Sequence, residues 1–368
     1  MKKKILIAAN SDLRYDRRLQ RIASALEKGG YEVSMLGRAF GSSFPEENPG
    51  WKHLVLWIQK GKLAYLELNI RLFLDLIFRK TDAICSVDLD TLPACRMAAG
   101  MLGCKLVQDS HEYMAEVPEV SGRPLTQKVW HLIARNFLPA CDLRYTISLS
   151  LVEEFRRIYK SEFSLIRNMP LLTEKAEWRP MPEGLPERGF LVYLGAVNQG
   201  RGLEEILEVL AGREEQLVIV GEGDKSPEIE ALIQKFQLRN RVFMTGKLLP
   251  SELPGILRNA LAGINLLRDE GLSYRYSLAN KFFDYVHAGI PQICIDFPEY
   301  RSLMSEYEVG VLCSLSKNSI HEALNKLQEE QLVTVYRENA SRAKNAWNWQ
   351  CEESELLRLY DEMFALPV

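Results

Sequence analysis

Short apolar runs alternate with amphipathic stretches along almost the whole of this chain. The run at residues 4–9 is followed by a stretch at residues 17–28 whose apolar residues recur at helical spacing, and Gly29 and Gly30 end that stretch. Fully apolar runs of this length are typical of strands that are buried on both faces of a sheet. Their alternation with helices predicts βαβ units, and therefore parallel sheets that are covered by helices on both sides.

The alternation is interrupted once, between residues 169 and 189, where four prolines and two glycines fall. This composition is typical of a linker between domains, and 368 residues leave room for two of them. We therefore predict an α/β fold of two tandem Rossmann-like, doubly wound domains that face each other across a cleft. The predicted boundaries are residues 1–170, a linker at 171–189, and residues 190–351, with a C-terminal helix at about 352–368 that rejoins the first domain.

Composition and charge argue against several classes of function. Lys and Arg total 46 and Asp and Glu total 49, so the net charge of −3 gives no support for nucleic-acid binding. The seven cysteines form no Cys-x-x-Cys pair and the five histidines lack metal-ligand spacing, so we expect reduced thiols, no metal site and a cytoplasmic location. The apolar run after residue 4 is too short for a signal peptide, and residues 63–78 contain too many polar residues for a transmembrane helix.

A glycine-rich turn gives the clearest local signal for ligand binding. It runs from Leu194 to Gly202 between a predicted strand and a predicted helix, and it also contains Gly195 and Gly200. Glycines let the backbone approach a phosphate, and the helix N-terminus supplies free N–H groups, to which Arg201 would add a charged donor. The turn lacks the Gly-Lys-Ser/Thr of a Walker loop and the Gly-x-Gly-x-x-Gly of NAD dehydrogenases. A plain turn with a solvated Arg201 is the alternative.

A second turn, Val220–Asp224, also follows a predicted strand and contains Glu222 between two glycines. Because the carboxyl ends of parallel strands meet at one edge of a sheet, this turn could line the same cleft. A purely structural turn is the simpler interpretation, and both stay open.

A predicted helix that begins near Asn280 carries the third signal. Lys281 falls in its first turn, where a cation is unfavourable for the helix dipole unless an anion is bound there, so the pattern favours an anionic ligand. Asp284 lies one turn later, near the face of Asn280, and its carboxylate could accept two hydrogen bonds from a ribose diol. The alternative is a surface lysine and a solvated aspartate.

With these motifs, residues 191–313 resemble the donor domain of retaining glycosyltransferases of family 4, which have the GT-B fold. The resemblance also includes Gly246-Lys247 after a further strand, and Asn280-Lys-Phe-Phe-Asp-Tyr-Val-His-Ala-Gly-Ile-Pro291. The first half resembles the acceptor domain of the same family. Its motifs are Asp12-x-Arg14…Arg17, Asp109-Ser-His-Glu112, Cys141-Asp142 before Thr146-Ile-Ser148, and Arg167-Asn168-x-Pro170.

The resemblance implies a metal-independent glycosyltransferase that needs no cofactor. It would move a sugar from a nucleotide-sugar donor, UDP- or GDP-linked, to a glycan or lipid-linked glycan, with retention at the anomeric carbon. His111 would act near the donor sugar, and Arg201 and Lys281 would stabilise the leaving diphosphate. Family analogy places the reaction in bacterial-type surface polysaccharide or lipopolysaccharide assembly. The residues expected to bind the donor are Gly195, Gly200, Gly202, Glu222, Gly246, Lys247, Ala279, Asn280 and Asp284.

Two positions depart from the family's pattern. The family places two acidic residues eight apart, and here Asp284 fills the second position while Tyr276 occupies the first. The donor loop usually has two basic residues, whereas Ala196 occupies the first of these positions and Arg201 stands where lysine is usual. Either neighbouring cations such as Arg275 substitute for the missing groups, or the activity is weakened.

Asp88-Leu89-Asp90 imitates the Asp-x-Asp motif of metal-dependent glycosyltransferases. It lies in the first half of the chain, away from the predicted donor domain. Asp90 fits better as a helix cap after a strand, so no metal site is expected there.

Two basic, apolar stretches, at residues 60–80 and 123–137, suggest peripheral contact with a membrane at its inner face. Basic amphipathic helices can dock on anionic headgroups. Ordinary helices that pack on the sheet, with their long charged side chains reaching water, are the alternative.

Two other functions stay open from the sequence. A sugar-nucleotide epimerase of the same fold needs several acid/base carboxylates and histidines around the sugar, and the candidate residues are poor in such groups. A catalytically degenerate, glycosyltransferase-like subunit that binds a nucleotide or a partner fits the departures at Ala196 and Tyr276.

Overall fold

The computed structural model describes residues 2–40, 50–118, 120–172, 181–249 and 251–366. The chain divides into two compact units. Unit 1 comprises Met1–Asn168 and Glu352–Val368, and unit 2 comprises Met169–Cys351. Of the predicted linker, residues 173–180 lie outside the described residues.

Unit 1 is built on a parallel sheet. Its strands are β1 (Lys4–Ala8), β2 (Glu32–Arg38), β3 (Trp51–Leu54), β4 (Ala83–Val87), β5 (Lys105–Ser110), β6 (Leu143–Thr146) and β7 (Ser164–Leu165). They lie in the order β3-β2-β1-β4-β5-β6-β7. The helices between them are α1 (Arg17–Lys28), α2 (Lys62–Leu76), α3 (Asp88–Leu102), α4 (Pro124–Phe137) and α5 (Leu149–Tyr159), with a short 3-10 helix at Leu138–Ala140.

The central strands of unit 1 are apolar because both of their faces are buried. Ile7 of β1 is fully buried, and the register places it between Met35 of β2 and Cys85 of β4. Burying a side chain of this size stabilises the fold by about 1.5–3 kcal/mol. The α1 helix starts after Asp16, whose carboxylate accepts a hydrogen bond from the N–H of Leu19, a standard N-cap.

Unit 2 repeats this architecture with six strands. They are β8 (Phe190–Leu194), β9 (Leu217–Val220), β10 (Val242–Gly246), β11 (Ala260–Asn265), β12 (Gln292–Ile295) and β13 (Gly310–Cys313), in the order β10-β9-β8-β11-β12-β13. Its helices are α6 (Leu203–Leu210), α7 (Ser226–Lys235), α8 (Leu253–Asn259), α9 (Leu272–Arg275), α10 (Asn280–Ala288), α11 (Pro298–Glu306), α12 (Lys317–Lys326) and α13 (Glu330–Ala346). The last helix, α14 (Trp349–Ala365), begins in unit 2 and continues into unit 1.

Tyr285 fixes α10 against the middle of the unit 2 sheet. Its hydroxyl donates toward the carbonyl oxygens of Val192 and Ile264, at 3.1 and 3.2 Å, and accepts from the N–H of Leu194 at 3.1 Å. A Cβ atom at Gly263 would lie 2.3 Å from the Tyr285 ring, so this glycine is what admits the ring. The helix start at Asn280 is thereby held beside the end of β8.

Both sheets are parallel with helices between their strands, which confirms the predicted α/β architecture. The seven cysteines are free thiols. No helix of the described residues combines the length and the apolar character that are needed to cross a bilayer.

Candidate functional site

Three glycine turns meet at the carboxyl edge of the unit 2 sheet. Gly195 follows β8, and its N–H donates to the carbonyl oxygen of Val220 at the end of β9, at 3.0 Å. Gly221 follows β9, and its N–H donates to the carbonyl oxygen of Gly246 at the end of β10, at 2.9 Å. Backbone hydrogen bonds therefore join the three turns, as the shared direction of the strands requires.

Close backbone approach explains two of these glycines. A Cβ atom at Gly221 (φ +140°) would lie 1.9 Å from the carbonyl oxygen of Gly195, and one at Gly202 (φ +70°) would lie 2.4 Å from the Cβ atom of Leu266. Both positions also need a positive φ, which residues with a side chain avoid. Gly202 is the N-cap of α6, and no side chain caps this helix. No side chain of the described residues therefore caps the first N–H groups of α6.

Arg201 lies just before α6 and forms no ion pair within the described residues. Its guanidinium carbon lies 5.1 Å from the centroid of the Tyr274 ring. Its Nε is buried without a hydrogen-bond partner among the described residues. Leaving a buried charged donor unpaired costs free energy, so Arg201 can take an acceptor from a ligand.

Lys281, in the first turn of α10, is buried to 6% exposure although its Nζ has no hydrogen-bond partner among the described residues. The Nζ atom lies 3.7 Å from the centroid of the Tyr193 ring on β8, a cation–π contact. Burial lowers the pKa of Lys281 well below its ordinary range, and the positive charge of Arg201 lowers that pKa further. Two basic side chains thus lie within electrostatic reach of each other, and neither forms an ion pair with a carboxylate of the described residues.

Other cations at this edge have acidic partners. Arg275 pairs with Asp269 at 2.9 Å, and Lys247 pairs with Glu222 at 2.9 Å. These are exposed pairs on the surface, where an ion pair contributes at most about 1 kcal/mol. Two predicted donor-binding side chains, Glu222 and Lys247, therefore form an ion pair with each other in this structure.

The helix α10 begins at Asn280, where the sequence predicts it. No side chain caps this N-terminus, and the N–H of Ala279 donates to the Tyr300 hydroxyl at 3.0 Å. Asp284 lies one turn after Asn280 and is half-buried, while Asn280 itself is exposed. The Asp284 carboxylate thus lies on the same short helix as Lys281, one turn after its N-terminus.

A second polar cluster, in unit 1, holds His111. Arg18 of α1 and Asp109 of β5 form a buried ion pair, with Nη2 and Oδ1 2.8 Å apart, and His111 Nε2 lies 2.8 Å from Asp109 Oδ2. Because that imidazole nitrogen donates to the carboxylate, the Nε–H of Arg18 donates to Asp109 Oδ2, at 3.2 Å, rather than to His111. Arg18 and His111 therefore share one acceptor residue.

Charge stabilisation keeps His111 protonated. Burial opposes the imidazolium, but the Asp109 carboxylate outweighs burial and raises the pKa of His111 to about 9. Burial likewise opposes the charge of Asp109, yet Arg18 and His111 lower its pKa to about 2. At neutral pH His111 is therefore a cationic hydrogen-bond donor, and it is not available as a general base.

Asp88 fixes the backbone that carries His111. Its Oδ1 atom accepts hydrogen bonds from the N–H groups of His111 and Glu112, at 2.7 and 3.2 Å. It does so from a left-handed backbone conformation with φ +56°, which is strained for a residue other than glycine. Burial raises the pKa of Asp88 to about 7. The first aspartate of the Asp-x-Asp segment thus fixes the loop that follows β5.

The expectation that Asp90 caps a helix is wrong. The α3 helix begins two residues earlier, at Asp88, and its N-cap residue is Val87. Asp90 lies in the first turn, where its charge is favourable, and accepts from Asn10 Nδ2 at 2.7 Å. Among the residues that the structure describes, no three His, Cys, Asp or Glu side chains are placed to hold a metal ion.

Sequence analysis missed Arg18. It lies on the inward face of α1, one turn before Ile22, and both are buried. An arginine in the apolar stripe of a helix is a signal of a buried acidic partner. The sequence leaves open which acidic residue that is, because Asp109 is 91 positions away.

Comparison with known proteins gives a domain assignment. Residues 175–347 match the family model of glycosyl transferases group 1. The alpha-D-kanosaminyltransferase of Streptomyces kanamyceticus is 34% identical over 79 residues, which are 20% of this chain and 20% of that protein. The alignment therefore spans about a fifth of the length of this curated relative.

Solved structures resemble the fold over almost its whole length. The sucrose-phosphate synthase of Thermosynechococcus elongatus superposes with a TM-score of 0.80 at 16% identity, over 99% of this chain and 100% of that chain. Anabaena HepE in complex with UDP-glucose gives 0.75 at 14% identity, over 98% and 99%. WaaG, a glycosyltransferase involved in lipopolysaccharide biosynthesis, gives 0.71 at 14% identity, over 96% and 98%. At these identities the likeness shows the fold, that of GT-B structures with two parallel-sheet α/β domains.

Proposed function

We propose that this chain is a glycosyltransferase, which its match to the group 1 family model over residues 175–347 and its GT-B fold support, and that it transfers a sugar from a nucleotide-sugar donor to a glycan or lipid-linked glycan. Transfer proceeds with retention at the anomeric carbon, as in family 4, and needs no metal or other cofactor. The observation that carries the proposal is the pair of basic side chains, Arg201 and Lys281, which have no ion-pair partner among the described residues and lie beside the N-termini of α6 and α10, which no side chain caps.

A diphosphate supplies what this edge of unit 2 lacks. Its oxygens can accept charge-assisted hydrogen bonds from Arg201 and Lys281 and from free N–H groups at the helix starts. These donors are fixed by the fold before the ligand arrives. They therefore stabilise the charge that develops on the leaving nucleoside diphosphate, and losing one such donor typically lowers the rate 10²- to 10³-fold.

Asp284 holds the ribose of the donor in this proposal. It lies one turn after Asn280 on the same helix as Lys281, so a diphosphate at the helix start would direct the nucleoside along α10. Glu222 and Lys247 contribute at the neighbouring turn, where they form an ion pair. The donor is UDP- or GDP-linked; the solved structure of Anabaena HepE holds UDP-glucose, and this supports the uridine case.

His111 acts on the sugar side of the reaction. As an imidazolium held by Asp109, it donates a hydrogen bond to a sugar hydroxyl and adds positive charge. Arg18 keeps the Asp109 carboxylate ionised, and Asp88 holds the His111 backbone. Arg18 and Asp88 are positioning residues in this account.

We place the reaction in bacterial-type surface polysaccharide or lipopolysaccharide assembly, at the inner face of the membrane. The support is the fold shared with WaaG, which is involved in lipopolysaccharide biosynthesis. A second candidate is a subunit that binds the nucleotide without turnover. It is favoured by Tyr276 and Ala196, which leave one carboxylate and one cation of the family pattern unfilled.

A thermal-shift screen of the purified chain tests the proposal. UDP, GDP, ADP, CMP and their common sugar conjugates are compared, each with and without EDTA. A ligand at 100 times its dissociation constant adds about 2.7 kcal/mol of stability, so one nucleotide class should raise the melting temperature equally with EDTA. The Arg201→Met variant should lose this shift, and Arg239→Met, at an exposed arginine of unit 2, should keep it. No shift with any nucleotide contradicts the proposal.

A further inference from the structure

One surface of unit 1 exposes an unusual amount of apolar side chain. It consists of residues 55–80, which include α2, and residues 123–137, which include α4, and we call it the α2–α4 surface. Tyr65 and Trp130 join the two helices through an edge-to-face contact of 5.6 Å. The exposed large apolar residues of this surface are Val55, Trp57, Ile58, Leu63, Tyr65, Leu66, Ile70, Leu74 and Phe78, and on α4 Leu125, Val129 and Leu132. Apolar patches of this extent mark interaction sites.

The α2 helix has two apolar stripes on opposite sides. One stripe is buried against the unit and consists of Ala64, Leu68, Leu72 and Leu76. The other faces outward and consists of Leu63, Leu66, Ile70 and Leu74, each more than half exposed. A surface helix ordinarily carries polar residues on its outward side. The second stripe therefore contributes nothing to the core of unit 1.

The charge of this surface is positive, although the whole chain has a net charge of −3. Residues 55–80 and 123–137 contain eight Lys or Arg and two acidic residues. The two acidic residues, Glu67 and Asp75, pair with Arg71 and Arg79 within α2 and its end. The remaining cations are exposed and form no ion pair among the described residues; they are Lys60, Lys62, Lys80, Arg123, Lys128 and Arg135.

We propose that the α2–α4 surface docks on a bilayer that contains anionic lipid. Leucines and isoleucines on one helix side enter the boundary between headgroups and acyl chains, while lysines and arginines meet the lipid phosphates. Trp57, which is 86% exposed and lies under the guanidinium of Arg71 at 4.3 Å, suits the interfacial zone. A second copy of the chain fits less well, because a two-fold interface would bring these unpaired cations together.

The surface lies wholly within unit 1, so the inference does not depend on the proposed transfer reaction. The test measures vesicle binding of the full chain by co-sedimentation, without any substrate. Phosphatidylcholine vesicles are compared with vesicles that also contain phosphatidylglycerol. We expect binding to the anionic vesicles alone, and we expect it to weaken as salt is raised.

Two variants separate the apolar and the charged contributions. Leu66→Gln, Ile70→Gln and Leu74→Gln together should lower the vesicle partition coefficient at least tenfold. Lys60→Gln, Lys62→Gln and Lys128→Gln together should lower it by roughly 100-fold at low salt, since each cation near an anionic surface contributes about fivefold. The matched control carries Leu249→Gln and Val335→Gln, exposed apolar residues of unit 2, and should bind like the wild type.

Three results would overturn the inference. The first is equal binding of the wild type to the two vesicle types at low salt, which would exclude an anionic-lipid contact. The second is binding of the charge variant, whose substitutions are all at exposed positions, as tight as that of the wild type. The third is a dimer of the lipid-free chain in light scattering that the Leu66, Ile70 and Leu74 variant dissociates, which would assign the surface to a second copy.

Discussion

Lys281→Met should stabilise the free protein and weaken donor binding at the same time. The lysine is buried with no hydrogen-bond partner for its Nζ among the described residues, so only the contact with the Tyr193 ring offsets the desolvation of the amine. Methionine has a similar length and no polar atom to desolvate. Removing an unsatisfied buried polar group is worth about 1–3 kcal/mol, and we expect the free energy of unfolding to rise by that amount.

The same substitution removes a charge-assisted hydrogen bond to the diphosphate. Such bonds contribute about 1.5–3 kcal/mol, so the dissociation constant for the nucleoside diphosphate should increase roughly 10- to 150-fold. Denaturant unfolding without ligand and calorimetric titration with UDP and GDP measure the two effects. Lys225→Met is the matched control, because Lys225 is a partly exposed lysine of unit 2 that pairs with Glu228; it should change neither quantity by more than a few tenths of a kcal/mol.

Opposite signs are what distinguish this account from a purely structural lysine. If Lys281→Met lowers the free energy of unfolding, the Lys281 side chain makes a net stabilising contribution to the fold. If the affinity for the nucleoside diphosphate is unchanged while the variant is folded, Lys281 does not contact the diphosphate, and the anion site must be placed elsewhere.

Four further outcomes are expected. The pKa of Lys281 is lowered in the free protein by burial and then by Arg201, and diphosphate binding restores the charge. At pH values between that lowered pKa and about 10.4, binding should therefore take up a proton. The uptake makes the calorimetric heat depend on the ionisation enthalpy of the buffer, and Lys281→Met should abolish this dependence. Asp284→Ala should weaken UDP binding about tenfold yet leave pyrophosphate binding unchanged, and equal weakening of both would contradict a ribose contact. His111→Ala should lower sugar transfer 10²-fold or more with little change in UDP affinity, and wild-type transfer should fall as the pH rises through about 9, where the imidazolium is lost; a flat profile up to pH 10 would refute a cationic role. Gly221→Ala should destabilise unit 2 by more than about 2 kcal/mol in denaturant unfolding, because its Cβ would lie 1.9 Å from the Gly195 carbonyl oxygen.

The periodic spacing of apolar residues explains why elements of the core could be predicted from the sequence. The helix α1 has the predicted bounds, residues 17–28, since it is a regular amphipathic stretch with a clear stop at Gly29. The edge strand β3, by contrast, mixes tryptophan, lysine and histidine with one leucine. Half-exposed edge strands carry no continuous apolar run, so this pattern gave no prediction for Trp51–Leu54.

The candidate site was predicted at the level of its turns and missed at the level of its charges. Glycine spacing after β8 and the cation at the start of α10 are local signals, and they led to Arg201 and Lys281. The absence of an acidic partner depends on which side chains the fold brings near, and sequence spacing does not show it. Sequence spacing likewise does not show that Arg18 pairs with Asp109. Nor does it show which of the two apolar stripes of α2 is buried.

Release of the nucleoside diphosphate from a sugar nucleotide is the most direct test of the proposed sugar transfer. The purified chain is incubated with UDP- and GDP-sugars in EDTA, with and without a glycan acceptor, and the released diphosphate and the anomeric configuration of the product are measured. We predict release with one donor class in EDTA, a product with the donor's anomeric configuration, and a loss of at least 10²-fold in Arg201→Met. Tight binding of a nucleotide without any release would instead identify a binding subunit, and release that requires an added divalent metal would contradict the role given to Arg201 and Lys281.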